Sequence, residues 1–426
     1  MNRLSIMFAT IIIMFTLMMQ VFSSPVTIKS KLKGLKQYSG FFEFYWDNHA
    51  GKIWLEIDKW EIEFLYVSFL AHGIGSNDIG LDRGQIGKTK VVKFERHGPK
   101  ILLIQPNYDY RATSGNSSER HAVTESFAQS VIWGFDLAAE EGSRVLVDAT
   151  DFFLRDAHDV ISALRRTKQG KYQLEKNRSA IFLNQTKNFP LNTEIEAILT
   201  FTGDSPGNYV RQVVPTPQAI TVYQHHSFIK LPDELYNPRK FDPRAGYFPG
   251  SYFDYGTPID EPLEKRFIFR HSLKKQNPEA PISEPVKPIV YYVDHAAPEP
   301  IRSALIEGAR WWNEAFEAAG FKDAYRVEVL PPTASPLDVR YNVIQWVHRS
   351  TRGWSYGSSI IDPRTGEIIK GHVSLGSLRV RQDRLIFEGL QPPYPVGSCQ
   401  AEHSAAAETL AALDGAADPV QVALAR

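Results

Sequence analysis

The segment Gly353-Trp354-Ser355-Tyr356-Gly357 fits the G-x-S-x-G pattern, in which a serine nucleophile is exposed on a sharp turn. In that arrangement a strand enters the turn, and a helix leaves it and helps to form the oxyanion hole. The residues that follow, 358–361, lead directly into a turn and do not predict a helix. The preferred interpretation is therefore a glycine-framed loop between strands. A serine hydrolase that uses Ser355 is the first alternative.

A glycine-rich segment at residues 73–80 could bind a nucleotide or a calcium ion, but both patterns are incomplete. Asp78 stands where the third glycine of G-x-G-x-x-G belongs. Asn77, Asp78 and Asp82 lack the alternating spacing of carboxylates in a calcium loop. We therefore expect neither ligand at this segment.

Four aspartates, at positions 148, 151, 156 and 159, form an acidic cluster that also contains His158. Such a cluster could hold a cation or provide paired carboxylates for acid–base chemistry. However, Asp151 directly precedes an apolar helical stripe, where a capping residue is common. The preferred interpretation is a helix start with a solvated acidic face.

Histidine and cysteine placement also disfavours a metal site built from this sequence. His225 and His226 are adjacent, so a strand would direct them to opposite faces of its sheet. Cys399 is the one cysteine, which excludes an intramolecular disulfide and a zinc site built on several thiolates. The zinc-binding pattern His-Glu-x-x-His does not occur in the sequence. We therefore assign no catalytic residue and no metal ligand from the residues themselves.

Composition excludes several other classes of protein. Of 426 residues, 43% are hydrophobic and 23% are charged, which is typical of globular proteins. Forty-eight basic residues balance forty-eight acidic ones, so net charge does not favour a nucleic-acid partner.

The N-terminus has the features of a secretory signal. Arg3 precedes an apolar run over residues 4–21, and Val21 and Ser23 offer small-residue positions for cleavage before Ser24. We therefore expect a signal peptide at residues 1–23 and an exported protein, periplasmic or secreted. An uncleaved anchor helix is the alternative interpretation of the apolar run. No later segment is apolar enough to span a bilayer, so no stable membrane span is expected after signal cleavage.

Residues 24–277 read as a β-rich N-terminal region of one or two subdomains. Aromatic and β-branched runs separated by turn residues predict strands, at residues 41–46, 52–57, 64–68, 90–94, 100–105, 144–148, 180–183 and 194–201. One amphipathic helix is expected from Asp151 onward. Residues 231–264 are rich in proline and aspartate and predict a long surface connector.

Residues 278–288 are proline-rich and mark the predicted linker, and a second α+β region occupies residues 289–426. A strand over 288–293 is followed by a long helix, whose apolar stripe runs from Ile301 to Ala319 and stops at Gly320. Strands are expected at 325–330 and 341–348. A hairpin with its turn at 362–366 completes the order, and the alanine-rich residues 401–426 are expected to be largely helical.

Several segments of this chain resemble a family of exported bacterial zinc-dependent metalloproteases with a metzincin-like catalytic domain. The resemblance covers residues 36–394. It is carried by residues 80–85, 270–271, 288–294, 311–321, 340–349 and 362–368.

The resemblance implies an α+β fold: a β-rich N-terminal domain, followed by the upper half of a zincin-type peptidase domain with a mixed sheet and one long helix. It implies hydrolysis of peptide bonds in a peptide or protein substrate by a zinc-activated water. In the family, a segment like residues 420–426 leads into the helix with His-Glu-x-x-His. The zinc ligands are therefore expected beyond Arg426, and this chain alone is expected to be inactive. A second alternative is a non-catalytic β-rich binding or pro-region module.

The resemblance also identifies a candidate substrate-binding strand at the edge of the cleft. Its members are His372, Val373, Ser374, Leu375 and Gly376. Strand alternation places Val373 and Leu375 on one face and His372 and Ser374 on the other. Because metzincin-like enzymes hold substrate extended along such an edge, main-chain hydrogen bonds would provide affinity.

Overall fold

The structure, a computed structural model, describes residues 27–233, 236–350 and 355–390. The predicted signal peptide and the alanine-rich segment at 401–426 lie outside these residues. No helix in the described part is long and apolar enough to cross a membrane.

The described N-terminal region consists mainly of strands. They are β1 (Lys36–Tyr38), β2 (Phe44–Asp47), β3 (Lys52–Ile57), β4 (Phe64–His72), β5 (Lys90–His97), β6 (Lys100–Gln105), β7 (Tyr110–Arg111), β8 (Ser130–Glu141), β9 (Arg144–Asp148), β10 (Lys171–Leu174), β11 (Ala180–Ile181), β12 (Lys187–Asn188), β13 (Asn192–Asp204), β14 (Ala219–Lys230), β15 (Pro249–Asp254) and β16 (Glu264–Ile268). The predictions for residues 52–57, 100–105 and 144–148 are confirmed to the residue. The strand predicted at 41–46 begins only at Phe44.

Thirteen of these strands form one antiparallel sheet in the order β1-β2-β3-β9-β8-β6-β5-β4-β14-β13-β10, with β11 and β12 also paired to β13. Its core is aromatic. Five fully buried phenylalanines from distant strands and loops belong to one cluster: Phe42, Phe64, Phe94, Phe135 and Phe228. Phe42 and Phe64 meet edge to face with their ring centroids 5.0 Å apart, an arrangement that aromatic quadrupoles favour.

The helices of this region are short: α1 (Ile28–Lys31), α2 (Ser117–Ser126), α3 (Thr150–Phe153), α4 (Val160–Arg166) and α5 (Asn208–Val213). The single helix predicted from Asp151 is wrong, because the chain forms α3 and α4 with a break between them. The carboxylate of Asp156 accepts hydrogen bonds from the backbone amides of Val160 and Ile161, so it caps α4. The acidic cluster thus provides a helix cap, as the preferred interpretation held, but through a different aspartate.

The proline-rich connector predicted over residues 231–264 is more structured than expected. It contains a 3₁₀ turn at Pro243–Ala245 and strand β15. β15 lies between β16 and β7 in a separate sheet of three strands. Its connecting segments are largely exposed, which agrees with the predicted surface position.

The C-terminal region is built on a sheet of five strands. They are β17 (Ile289–Val293), β18 (Tyr325–Val329), β19 (Asn342–Val347), β20 (Tyr356–Ile361) and β21 (Ile368–Gly376), in the order β18-β17-β19-β21-β20. β18, β17, β19 and β21 run parallel to their neighbours, and β20 is antiparallel to β21. This confirms the predicted α+β class and the predicted hairpin.

The long helix predicted from Ile301 is divided into α6 (Ile301–Arg310) and α7 (Trp312–Ala318), which meet at Trp311. These helices contact β17 and β18. Leu305 of α6 is buried against Val293 and Ile344 of the sheet. A further helix, α8 (Leu378–Leu390), follows β21 directly and was not predicted.

Candidate substrate-binding edge and its contacts

The predicted substrate-binding residues His372, Val373, Ser374, Leu375 and Gly376 all lie on β21, but that strand is not at the edge of the sheet. β19 pairs with one side of β21 and β20 pairs with the other. The prediction of an edge position is therefore wrong, because β20, the first strand of the hairpin, pairs with the outer side of β21. The edge belongs to β20, which is the one antiparallel strand of this sheet.

The predicted alternation along β21 is confirmed. Val373 and Leu375 pack into the apolar cluster beneath α6. Ser374 faces the opposite side with Tyr356, its partner in the strand pair. The side chain of Tyr356 reaches Asp82 of the N-terminal region. The sheet therefore has a helix-covered face and a face that rests on the N-terminal region.

Strand β20 forms an uncharged edge of the sheet. Its six residues, Tyr-Gly-Ser-Ser-Ile-Ile, carry no charge. Gly357 is exposed, and a Cβ atom added there would meet nothing within 4 Å. Among the described residues no further strand pairs with its outer side. Such an edge can accept an extended peptide through main-chain hydrogen bonds.

The opposite edge, formed by β18, differs chemically. It carries the exposed charged residues Arg326 and Glu328. Its backbone also has side-chain partners: the amide of Tyr325 donates to Asn313 Oδ1 at 3.3 Å, and Arg310 donates to the carbonyl of Val327 at 3.4 Å. Charged side chains and occupied backbone groups disfavour the addition of another strand.

A buried ion pair lies where β20 begins. Arg349 Nε donates to Asp82 Oδ2 at 2.6 Å, and the two side chains are only 2% and 3% exposed. The hydroxyl of Tyr356 lies 3.4 Å from the same carboxylate oxygen. The guanidinium of Arg349 also lies over the Tyr356 ring, 5.4 Å from its centroid. The first residue of β20 is therefore packed against a charge pair shared by both regions.

Gly84 allows the N-terminal loop to approach this face of the sheet. Its φ is +82°, and a Cβ atom there would lie 2.0 Å from Gln345 Oε1 and 3.0 Å from His372 Nε2. Both of those side-chain atoms are buried and have no hydrogen-bond partner in the structure. Burial, with Lys370 and Arg83 nearby, lowers the pKa of His372 to about 3.

The turn of the hairpin is anchored to the N-terminal region as well. Arg364 donates to Glu63 at 2.6 Å and to Asp362 within the turn. Arg111 donates to the carbonyl oxygens of Pro363 and Arg364 at 3.1 and 2.9 Å. Paired charges and backbone hydrogen bonds therefore fix the end of the hairpin opposite to Tyr356.

Between these two ends, Lys370 of β21 is buried. Its ammonium group donates to the carbonyl oxygens of Pro336 and Asp338. Burial lowers the pKa of Lys370 to about 8, although Glu194 and Asp338 act in the opposite direction. Nearby, Asn192 Nδ2 donates to the carbonyl of Leu337 at 3.0 Å. The middle of the interface thus also contains polar contacts between the two regions.

His225 and His226 point to opposite faces of β14, as predicted. His225 bridges two buried carboxylates, with Nε2 2.6 Å from Glu194 and Nδ1 3.0 Å from Glu196. Burial lowers its pKa, but the hydrogen bonds to both glutamates outweigh burial and raise it to about 8. His226 instead contacts the hydroxyl of Tyr66 at 2.9 Å within the core. The two histidines serve separate networks.

Ser355 does not lie on a nucleophile elbow. Its hydroxyl accepts a hydrogen bond from the amide of Gly376 at 3.2 Å. The next residue begins strand β20, where the elbow would require a helix. Gly353 and Trp354 of the motif lie outside the described residues.

Replacing Ser355 with alanine is therefore expected to have little effect. We expect a change in the free energy of unfolding of no more than about 1 kcal/mol, the usual value of one hydrogen bond, and no change in any hydrolytic activity. Chemical denaturation and esterase assays of the variant and wild type provide the measurement. Loss of an esterase activity in this variant alone would support the serine hydrolase.

The described residues do not fit a zinc site. In residues 27–233, 236–350 and 355–390, no group of three or more His, Cys, Asp or Glu side chains is arranged to hold a metal ion. In particular, the ring of His225 separates its two glutamates, so the three groups do not converge on one point.

Sequence reasoning missed the ion pairs between the two regions. Asp82 and Arg349 are 267 positions apart, and Glu63 and Arg364 are 301 apart. One signal was present: residues 80–85, 340–349 and 362–368 all carried the family resemblance. The structure brings those three segments together along the β20–β21 hairpin.

Residues 84–276 match the model of a domain of unknown function, DUF5117. The matched segment begins at Gly84, beside the sheet interface, and ends close to the proline-rich segment at 278–288. No curated protein and no solved structure matches the chain.

Four histidines with lowered pKa values should make the fold sensitive to acid, and one of them is His226, whose pKa burial holds well below its ordinary value. Burial lowers the pKa of His158 and His271 to about 4, and that of His372 to about 3. The unfolded chain takes up protons near pH 6.5, whereas the folded chain does so only near these lower values. Stability is therefore present above about pH 6.5 and is lost as the pH falls toward 4, by up to about 1.4 kcal/mol per pH unit for each histidine.

Denaturation measured between pH 7 and pH 4 tests this dependence. His372→Asn should reduce the slope of stability against pH, because one of the four histidines no longer titrates. The same substitution at the exposed helical residue His121 serves as the matched control. Equal slopes in wild type and His372→Asn would contradict the assignment.

Proposed function

We propose that this chain is the N-terminal portion of a secreted, zinc-dependent metalloendopeptidase, and that β20 binds the peptide substrate as an added strand. The observation that supports the proposal most strongly is the position of β20. It is an uncharged antiparallel strand at the edge of a five-stranded sheet whose other strands are parallel.

The topology of the C-terminal region supports this proposal. β17 leads through α6 and α7 into the parallel strand β18, and β19 then lies on the other side of β17. The hairpin places β20 outside β21. This is a mixed sheet with helices on one face, as expected for the upper half of a zincin-type domain.

The chemistry of the two edges supports β20 as the binding strand. Extended peptides add to sheet edges through main-chain hydrogen bonds, and side-chain pockets contribute specificity. β20 carries small and apolar residues, whereas β18 carries Arg326 and Glu328. The sheet therefore favours strand addition on one side only.

We propose that the described residues bind and orient the substrate and do not bind the cofactor. Zinc remains the proposed cofactor of the enzyme, but none of the described side chains is proposed as a ligand. Export, to the periplasm or the medium, is proposed from the signal-like N-terminus, and a peptide or protein is the proposed substrate.

The test is hydrolysis by the complete gene product, expressed with zinc and given an unfolded protein substrate. We expect cleavage that a zinc chelator abolishes and that added zinc restores. A serine-directed fluorophosphonate should neither label nor inhibit the protein. Cleavage that resists the chelator but is lost in Ser355→Ala would favour a serine hydrolase, and no cleavage at all would favour a non-catalytic module.

A further inference from the structure

The N-terminal region contacts the β20–β21 hairpin at both of its ends through ion pairs of the same polarity. At the start of β20, Asp82 of the N-terminal region pairs with Arg349 at 2.6 Å. At the turn, Glu63 of the N-terminal region pairs with Arg364, also at 2.6 Å. In each pair the acid comes from the N-terminal region and the base from the region that contains the sheet.

The first pair acts directly on the hairpin. Besides its contact with Tyr356, Arg349 lies close to Gly376, where an added Cβ atom would be 2.7 Å from its Nη1. Arg349 thus touches the first residue of β20 and the last residue of β21. Because the pair is almost fully buried, its charges are weakly screened and a displacement of either partner is costly.

Apolar contacts join the two charged ends. Ile360 of β20 is buried in one cluster with Leu65 and Val67 of β4 and with Ile229 of β14. Removing the N-terminal region would expose this cluster to water and would leave Arg349 without Asp82. Release of the N-terminal region as a cleaved propeptide would break both the ion pairs and the apolar contacts. The interface is therefore typical of a permanent association between the two regions.

We propose that the N-terminal region is a permanent part of the substrate-binding unit, in which Asp82 and Glu63 are positioning residues that hold the β20–β21 hairpin through Arg349 and Arg364. The role in substrate binding rests on the proposed peptidase function. The positioning of the hairpin does not depend on it.

Amide hydrogen exchange of the hairpin, with peptide kinetics on the complete gene product, tests the proposal. Asp82→Asn and Glu63→Gln should each make the amides of Tyr356–Ile361 and Ile368–Gly376 exchange about tenfold faster or more, because the hairpin opens locally. The amides of β13 should not change. In the kinetic assay KM should rise in both variants, while kcat changes little.

The matched control is Glu140→Gln. Glu140 pairs with Arg96 at 2.7 Å, and both residues belong to the N-terminal region, so hairpin exchange and KM should stay at wild-type values. If the buried variant Asp82→Asn does not fold, Glu63→Gln still tests the proposal, because its pair is partly exposed.

The outcomes separate the two proposals. Unchanged hairpin exchange in folded Glu63→Gln and Asp82→Asn would overturn the positioning role. Faster hairpin exchange in a protein that hydrolyses no peptide would refute the peptidase function and retain the positioning role. Release of the N-terminal region from an active enzyme, after cleavage at an inserted protease site beside the exposed Pro278, would also overturn it.

Discussion

Replacing Asp82 with alanine is expected to lower the free energy of unfolding by about 3–5 kcal/mol, the usual cost of removing one partner of a buried ion pair. Asp82 and Arg349 are 2.6 Å apart and almost fully buried, so the variant would remove the carboxylate that pairs with this cation in a region of low dielectric. Chemical denaturation of variant and wild type at neutral pH measures the loss.

Removing both charges distinguishes the buried charge from simple packing. The double variant Asp82→Leu with Arg349→Met removes both charges of this pair, and the loss should be clearly smaller than for Asp82→Ala. A double variant at least as unstable as Asp82→Ala would contradict this account of the pair.

The second large effect is expected at His225. The substitution His225→Leu would leave the carboxylates of Glu194 and Glu196 buried on one face of the sheet without the group between them. We expect a loss of about 3–5 kcal/mol, because two acidic groups would lose the cation that compensates them. Thermal or chemical denaturation measures it.

The pH dependence gives this prediction an independent check. Because the pKa of His225 is raised to about 8, its stabilising contribution is fully present below about pH 6.5 and is lost as the pH rises through 8. His225→Leu should therefore lose this part of the alkaline sensitivity. Adding Glu196→Gln to His225→Leu should recover part of the stability, and a further loss in that double variant would contradict the explanation.

Local sequence patterns were sufficient to predict many strands. The strand at 52–57 and the turn at 362–366 carry their own signals: aromatic and β-branched residues in one case, and turn residues in the other. The alternation along β21 was also correct, because side chains of any strand alternate between faces. These features depend only on residues close together in the chain.

Features that depend on pairing between distant segments could not be predicted from local sequence patterns. Whether β20 or β21 forms the edge is decided by which strand meets β19, and the local sequence of the hairpin does not encode that choice. The break between α3 and α4 arises where Asp156 caps the second helix, although the apolar stripe continues across it. The prediction from the apolar stripe alone therefore gave one helix where the chain forms two.

Contacts across the interface were the least predictable part of the candidate site. Asp82, Gly84 and Glu63 gain their importance from residues more than 250 positions away, and each looks unremarkable in its own segment. Gly84 is the clearest case, because its lack of a side chain matters only when Gln345 lies against it. The family resemblance had singled out the segments 80–85, 340–349 and 362–368, and the structure shows which contacts hold them together.

Protection of β20 by a bound peptide tests the central claim most directly. Amide exchange of the complete gene product is measured with and without an uncleaved, extended peptide inhibitor. If the peptide adds to the sheet as proposed, amides in Tyr356–Ile361 become protected while those in Tyr325–Val329, at the opposite edge, stay unchanged. Protection at the opposite edge, or at neither edge despite saturating peptide, would contradict the assignment of β20 as the substrate-binding strand.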